Sequence, residues 1–201
     1  MQVSIKSTKS QIFNASLRLF GENGYENVSV RNIANAVGIK AASIYTHYES
    51  KEKILEECYD FYIYNRYKKR LIKEQYEAIV KNGSKEEIMN IFNYSWEDSV
   101  HENMFFALLI IYSRIYSDLR AKKIYESEIN DSMEYMNEVF TFGIKTGRFN
   151  KFNIKTVSFV ILSARLFASH SATIKPEENE EWHRAQVDFL DELVKLVPFK
   201  Y

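Results

Sequence analysis

The chain has 201 residues, with 27 basic and 27 acidic side chains, so its formal net charge at neutral pH is zero. Its 46% hydrophobic and 27% charged residues are typical of a soluble globular protein. The longest apolar run, residues 104–112, is too short to span a bilayer, and the N-terminus lacks the apolar run of a signal peptide. We therefore expect a cytoplasmic protein, and a single cysteine, Cys58, is consistent with a reducing compartment.

Helical periodicity dominates the sequence, and only two prolines and six glycines interrupt it, so the predicted fold class is all-α. The first predicted helix begins at Thr8, which with Gln11 forms a possible capping box, and runs to about residue 22. Its apolar side chains would cover the two short helices that follow.

Residues 29–51 predict two short helices joined by a tight turn. Ser29 can cap the first, whose apolar residues recur at helical spacing. Gly38 stands where the chain must reverse, because glycine adopts a left-handed backbone without steric cost. In the second helix Ile44 and Tyr48 share one face and would pack inward. This arrangement predicts a helix-turn-helix, whose second helix enters the DNA major groove.

Packing Ile44 and Tyr48 inward leaves polar and small side chains outside. Small residues at the start of the second helix would let its N-terminus approach base edges and phosphates closely. Ser50 can cap the next helix and places Lys51 in its first turn, where a cation is unfavourable unless an anion such as a phosphate lies opposite. Residues 1–55 also carry seven basic against four acidic side chains. The outward residues predicted here are Lys40, Ala42, Ser43, Tyr45, Thr46 and His47.

The segment from about Thr8 to Leu55 resembles the DNA-binding domain of the TetR family of bacterial transcriptional regulators. The resemblance rests on IFNASLRLFGENGYENVSV and IANAVGIKAASIYTHYESKEKIL, and within them on LFGENGY, SVRNIA, AVGI, SIYTHY and SKEKIL. It covers about a quarter of the chain. It implies a three-helix DNA-binding domain, here residues 1–55, followed by a helical ligand-binding and dimerisation domain, here residues 56–201.

The resemblance also implies roles for individual residues. Lys40, Ala41, Ala42 and Thr46 correspond to positions near base edges. Lys40 stands where the family usually has a small hydroxyl residue and Ala42 where it usually has glycine, so the operator sequence does not follow from the motif. The positions that correspond to frequent phosphate contacts are Ser29, Arg31, Ser43, Tyr45, His47 and Lys51.

The second part of the chain is also predicted to be helical throughout. A long helix from Lys51 would reach as far as Val80, with a kink near Lys73 as the alternative. The sequence Ser84-x-x-Glu87 predicts a capping box, and Asn103 a cap for the apolar helix that follows. Further helices are predicted over about 122–146, ended by Gly147, from Asn153, and from Pro176.

The two last predicted helices, about 154–173 and 177–197, are expected to form a homodimer. The first is apolar on most faces, so a second surface must cover it. We predict that the two helices pair with their copies in a four-helix bundle, which the family resemblance also implies. A dimer would bring two reading helices to major grooves about 34–36 Å apart.

The regulatory part is rich in aromatic residues, and the whole chain has 14 Tyr, 14 Phe and 2 Trp. Bulky rings between helices can leave apolar gaps with polar handles, which favours a pocket for an apolar or aromatic ligand. For each residue taken singly, core packing is the alternative. The candidate lining residues are Phe61, Tyr64, Trp96, Phe105, Tyr112, Tyr116, Met133, Met136, Phe140 and Phe167.

Motifs of catalysis are missing from the sequence: it has no nucleophile elbow, phosphate-binding loop or paired metal-binding histidines. We therefore predict no catalytic residue, no metal and no cofactor. The predicted function is a dimeric regulator, a repressor that binds a palindromic double-stranded operator and is released by a small molecule. One alternative keeps the DNA-binding domain under a protein partner or no effector. Another is a helical ligand carrier or adaptor without DNA function.

Overall fold

A computed structural model of the chain describes residues 7–66, 68, 70–92, 99–171 and 197–200. These residues form helices and no strand, which confirms the all-α prediction. The helices are α1 (Thr8–Asn23), α2 (Val30–Val37), α3 (Ala41–Ile44), α4 (Lys51–Arg66), α5 (Lys73–Asn82), α6 (Lys85–Asn90), α7 (Ser99–Arg114), α8 (Leu119–Lys145) and α9 (Ile154–Ser171), with a 3-10 turn at Tyr25–Asn27. In the described part of the chain, no helix combines the length and the apolar character needed to cross a bilayer.

Two predicted N-caps are wrong. The cap of α1 is Ser7, whose hydroxyl oxygen accepts a hydrogen bond from the Ser10 backbone N–H at 3.2 Å. Asn103 lies inside α7, which begins at Ser99. For α1, Ser7 and Thr8 are adjacent residues that can both act as caps, and the local pattern alone does not choose between them.

The long helix predicted from Lys51 to Val80 is also wrong as a single element. α4 ends at Arg66, and α5 begins at Lys73, where the sequence suggests a kink. At the start of α5 the Gln75 side chain accepts a hydrogen bond from the Ile72 backbone N–H at 3.0 Å, which supports a separate helix start. Apolar spacing continues through residues 66–73 and therefore does not reveal the interruption.

Other predicted helix ends are confirmed. Ser84 and Glu87 form a reciprocal capping box, with the Ser84 N–H donating to Glu87 Oε2 at 2.7 Å and the Glu87 N–H donating to Ser84 Oγ at 3.1 Å. Gly147 follows α8 with a φ of 77°. Asn153 caps α9 by accepting from the Thr156 N–H at 3.1 Å.

The chain divides into two compact units. Unit 1 comprises Met1–Lys69 and Trp96–Tyr125. Its core combines α1 to α4 with α7, which contributes Ile110 and Ile111, both fully buried. The domain boundary predicted from the resemblance lies at residue 55. Unit 1 extends beyond it, because it includes α4 and α7.

Unit 2 comprises Arg70–Ser95 and Glu126–Tyr201. Its core is strongly aromatic: the ring of Phe140 stacks on Phe92 with 4.7 Å between centroids and meets Phe152 edge-on at 5.2 Å. Phe149 is 1% exposed and pairs with Phe199 through an isolated antiparallel bridge. The last described residues are thereby attached to the loop between α8 and α9.

Candidate nucleic-acid interface

The helix-turn-helix predicted over residues 29–51, called the reading unit below, begins with α2. This helix starts with a reciprocal cap. Ser29 Oγ accepts from the Asn32 backbone N–H at 3.2 Å, and Asn32 Oδ1 accepts from the Ser29 N–H at 2.8 Å. These bonds use two of the free N–H groups at the helix start. Ser29 and Arg31 themselves remain exposed, so this end of α2 is available to a ligand.

The turn between α2 and α3 depends on Gly38, which has φ 75° and ψ 30°, in the left-handed region. The N–H of Ile39 donates to the Ala34 carbonyl at 3.0 Å, and the N–H of Gly38 donates to the Asn35 carbonyl at 3.1 Å. This pair of bonds is the Schellman arrangement, which ends a helix and reverses the chain. It sets the angle at which α3 leaves α2.

Substitution of Gly38 tests this turn. A Cβ at this position would have open space around it, so Gly38→Ala adds backbone strain without a clash, and we expect a loss of about 1 kcal/mol in the free energy of unfolding. Gly38→Asn should cost less and Gly38→Val more, because asparagine tolerates the left-handed region and β-branched residues do not. Urea unfolding followed by circular dichroism measures the series, and equal stability of Gly38→Val and wild type would contradict it.

The predicted reading face lies on α3, which ends at Ile44, and on the turn that follows it, so this helix is shorter than predicted. Ile44 is 1% exposed and Tyr48 is 5% exposed, which confirms that both pack inward. Tyr45, by contrast, is 57% exposed although it is aromatic. The Thr46 hydroxyl donates to the Ser43 carbonyl at 2.8 Å, so its remaining lone pairs are left to accept. The residues of this face are exposed at Lys40, Ala42, Tyr45, Thr46 and His47 and half-buried at Ala41 and Ser43.

Lys51 has partners that the sequence does not suggest. Its ammonium group donates to the carbonyl oxygens of Tyr25 and Val28, both at 3.0 Å, and lies 3.9 Å from the centroid of the Tyr25 ring. These carbonyls place partial negative charge beside the ammonium within the protein, and the contact of Lys51 with a phosphate stays a prediction. An ammonium has three N–H groups, so one donor is left for a further acceptor.

The start of α4 is held by a second set of bonds. Ser50 Oγ accepts from the Lys53 N–H at 3.3 Å, which confirms Ser50 as the cap. The pKa of Glu52 is lowered by its own backbone N–H, then by the hydroxyls of Ser50 and Tyr25. Burial and the hydrogen bond to Glu52 in turn raise the pKa of Tyr25 well above its usual value. Tyr25 therefore stays a neutral donor, with its hydroxyl 3.0 Å from Glu52 Oε1.

Comparison with known proteins agrees with this geometry. The family model of bacterial regulatory proteins of the tetR family matches residues 12–58, from the middle of α1 into α4. Over residues 12–58 the chain is therefore similar to the DNA-binding domain of tetR-family regulators.

Curated relatives match the same region. The biofilm operon icaADBC HTH-type negative transcriptional regulator IcaR of Staphylococcus epidermidis is 37% identical over 59 residues, which are 27% of this chain and 32% of the relative. IcaR of Staphylococcus aureus is 39% identical over 57 residues, covering 26% and 31%. The match thus spans about a third of the length of these regulators.

Solved structures resemble the chain over nearly its full length. The ketosteroid transcriptional regulator KstR2 of Mycobacterium tuberculosis has a TM-score of 0.67 at 20% identity and covers 99% of this chain and 98% of its own. A putative transcriptional regulator of Saccharomonospora viridis, in complex with choline, has a TM-score of 0.65 at 14% identity, covering 96% and 98%. At these identities the likeness establishes the fold: a TetR-like N-terminal helix-turn-helix domain followed by a helical C-terminal domain.

The ten residues predicted to line a pocket are distributed between the two units. Met136 and Phe140 are buried in the core of unit 2, with Met133 half-buried against it. In unit 1, Tyr64 is 67% exposed and Tyr116 is 97% exposed. Trp96 and the Phe167 side chain lie outside the described residues. The half-buried candidates of unit 1 are Phe61, Phe105 and Tyr112.

Sequence reasoning misses one residue of the interface region. Arg114, at the end of α7, contacts the Tyr25–Asn27 turn through an ion pair with Glu26, 88 residues away in the chain. No local motif marks this contact, because it depends on how α7 packs in unit 1.

Proposed function

We propose that this chain is a non-enzymatic, dimeric transcriptional regulator of the cytoplasm, a repressor that binds a palindromic DNA operator. The observation that carries the proposal is the outward presentation of α3, with Ile44 and Tyr48 buried behind it, in a TetR-family domain. The name of IcaR, a negative transcriptional regulator, supports repression.

In this proposal α3 lies in the major groove and two helix N-termini face the phosphates. Contacts to base edges come from Lys40, Ala41, Ala42 and Thr46, and they specify the sequence. Contacts to phosphates position the domain on the duplex, because phosphates are the same in every sequence. The proposed phosphate contacts are Ser29 and Arg31 of the α2 start, Ser43, Tyr45 and His47 of the α3 region, and Lys51 of α4.

Dimerisation is proposed through α9 and through residues of about 177–197. Of this second segment only residue 197 is among the described residues. In α9, Ile161 and Leu162 are each 5% exposed and face the core of unit 2. Phe159 of the same helix is 64% exposed. A large aromatic ring left in solvent on a helix that is apolar on most faces is consistent with a covering second subunit.

The proposed effector is a small apolar or aromatic molecule that binds among the aromatic side chains of the C-terminal domain. The names of two structural neighbours mention small organic molecules, a ketosteroid in one and choline in the other. These names support a small-molecule effector for a regulator of this fold. A ligand that prefers the form of the dimer unable to bind DNA would release the operator. By thermodynamic reciprocity, the operator would weaken binding of that ligand by the same factor.

Selection of bound duplexes from random sequence, followed by sequencing, tests the DNA proposal. We expect an enriched palindrome whose half-sites are centred about one helical turn apart, or a multiple of it. Enrichment of a single half-site would contradict the dimeric arrangement. An absence of salt-dependent binding at low ionic strength would contradict DNA binding altogether and favour a ligand carrier.

Substitutions should separate the two kinds of DNA contact. We expect Arg31→Ala and Lys51→Met to weaken binding to all duplexes and to reduce the salt dependence, by about one counterion for each phosphate that the variant no longer binds. Lys40→Ala and Thr46→Ala should instead change the selected sequence, at about 1–3 kcal/mol for each base pair involved. Fluorescence anisotropy over a salt series measures both effects.

Lys53→Ala is the matched control, because Lys53 is an exposed lysine of the same helix start, paired with Glu56 at 2.7 Å. Its substitution should leave affinity, salt slope and selected sequence unchanged. Lys51→Met also removes two bonds to backbone carbonyls, so its unfolding curve must be recorded alongside. If Arg31→Ala and Lys53→Ala had equal effects, the proposed orientation on DNA would be wrong.

A further inference from the structure

Two cations meet at one buried aromatic ring next to the reading unit. Tyr25 is 6% exposed and belongs to the 3-10 turn between α1 and α2. The Lys51 ammonium lies 3.9 Å from its ring centroid, and the guanidinium carbon of Arg114 lies 4.5 Å from it. Both distances are within the range of cation–π attraction, which strengthens as the cation loses water.

Arg114 is well anchored in this position. Its side chain is 13% exposed, Nη1 lies 2.7 Å from Glu26 Oε1, and Nε lies 3.5 Å from Asp118 Oδ2. Asp118 in turn accepts from the Tyr59 hydroxyl at 3.0 Å and caps α8 through the Arg120 N–H at 2.8 Å. Arg114 therefore connects the end of α7 with the turn before α2, with α4 and with the start of α8, all within unit 1.

The turn held by Arg114 also sets the two helix N-termini that face phosphates in the proposed complex. Lys51, the first residue of α4, binds the carbonyls of Tyr25 and Val28. Val28 directly precedes Ser29, the cap of α2. The separation of Ser29 and Lys51 is thus set through the backbone of this turn. Phosphates recur along DNA at a fixed spacing, so a change in that separation weakens the contacts on both helices together.

We propose that Arg114 is a positioning residue for DNA binding. By holding Tyr25 and Glu26 it sets the spacing of the α2 and α4 N-termini, and it makes DNA binding depend on the position of the C-terminal end of α7. This inference rests on the proposed function. In this inference Arg114 does not contact DNA, whereas Arg31 and Lys51 are proposed to contact phosphates.

The charges around the ring explain why a guanidinium is suited to this place. Two cations so close together would repel each other unless anions compensate them. Glu26 pairs with Arg114, and Glu52 accepts a hydrogen bond from the Tyr25 hydroxyl, so the cluster carries negative charge on both sides of the turn. A guanidinium can stack on the ring and form a directed ion pair at the same time, which an ammonium does less well.

Arg114→Met tests the proposal, because methionine keeps much of the apolar stem and removes the charge. Arg120→Met is the matched control: Arg120 pairs with Asp60 at 2.6 Å and lies 5.6 Å from the ring centroid of Tyr59, but it does not contact the Tyr25 turn. With a duplex carrying the site recovered by selection, we expect Arg114→Met to bind roughly ten-fold more weakly than Arg120→Met. The salt slope should stay close to that of wild type, since Arg114→Met removes no side chain that is proposed to contact a phosphate. Arg114→Lys should recover part of the affinity.

Hydrogen exchange on the free protein provides a readout that needs no DNA. Amides of the turn and the first residues of α2, residues 24–32, should exchange faster in Arg114→Met than in wild type and Arg120→Met. Equal affinities and equal exchange in the two variants would overturn the inference and leave the proposed function standing. A salt slope reduced by about one in Arg114→Met would also overturn it, because Arg114 would then contact a phosphate itself. Failure of the wild type to bind any duplex would overturn the proposed function as well.

Discussion

Replacement of Phe159 by glutamate is expected to convert the proposed dimer into a folded monomer and to weaken binding to the proposed operator by about a hundred-fold or more. In a dimer, the second reading helix binds at the high effective concentration set by the first, and this gain disappears when the subunits separate. Phe159 is 64% exposed on α9 in the single chain, so a charge there has little effect on the fold of the subunit. At the centre of an apolar dimer interface, the same unpaired charge is strongly unfavourable.

Tyr116→Glu is the matched control for that experiment. Tyr116 is 97% exposed and also aromatic, but it lies in unit 1 and outside α9. Equilibrium sedimentation should give a dimer for Tyr116→Glu and a monomer for Phe159→Glu, with circular dichroism showing that both are folded. A Phe159→Glu variant that remains dimeric and binds the operator as wild type does would rule out α9 as the interface.

Gly143→Ala is expected to lower the free energy of unfolding by about 2–3 kcal/mol, although alanine normally favours a helix. Gly143 lies in α8, and a methyl group on its Cα would overlap the ring of Phe149. That ring cannot move aside, because it is 1% exposed and is packed edge-on against Phe199 at 5.1 Å. The backbone is fixed as well, since the N–H of Phe149 donates to the Gly143 carbonyl at 3.1 Å.

Gly147→Ala separates this clash from ordinary backbone strain. Gly147 has a φ of 77°, but a Cβ there would have open space around it, so its substitution should cost only about 1 kcal/mol. Chemical unfolding of both variants gives the comparison. If Gly143→Ala were as stable as wild type, the close packing of α8 against the loop before α9 would be wrong.

The features of this chain that sequence reasoning predicts correctly depend on contacts between near neighbours. The cap of α2 joins Ser29 to Asn32, and the cap of α6 joins Ser84 to Glu87. Gly38 and Gly147 end helices because their left-handed backbone is a property of the residue itself. The spacing of Ile44 and Tyr48 predicts that both are buried and that Tyr45 is outside, although Tyr48 lies in the segment after α3.

Errors of sequence reasoning arise where two local solutions are nearly equal or where a distant segment decides. Ser7 and Thr8 can both act as caps. In the structure Ser7 is the cap and Thr8 is the first residue of α1. The interruption after Arg66 follows no break in apolar spacing. The contacts of Lys51 with two carbonyls of the preceding turn carry no sequence signal either, and its contact with a phosphate stays a prediction.

The amino-acid sequence by itself therefore determined the all-α class, the helix-turn-helix and the residues on its outer face, because each is encoded in hydrogen bonds and side-chain spacing within a few residues. Only the tertiary structure decided that α7 packs with the N-terminal helices, that Arg114 reaches Glu26 and Tyr25, and that Phe149 requires a glycine on α8. These contacts join residues that are distant in the chain or on different elements. Their geometry depends on how whole helices pack, which no local pattern contains.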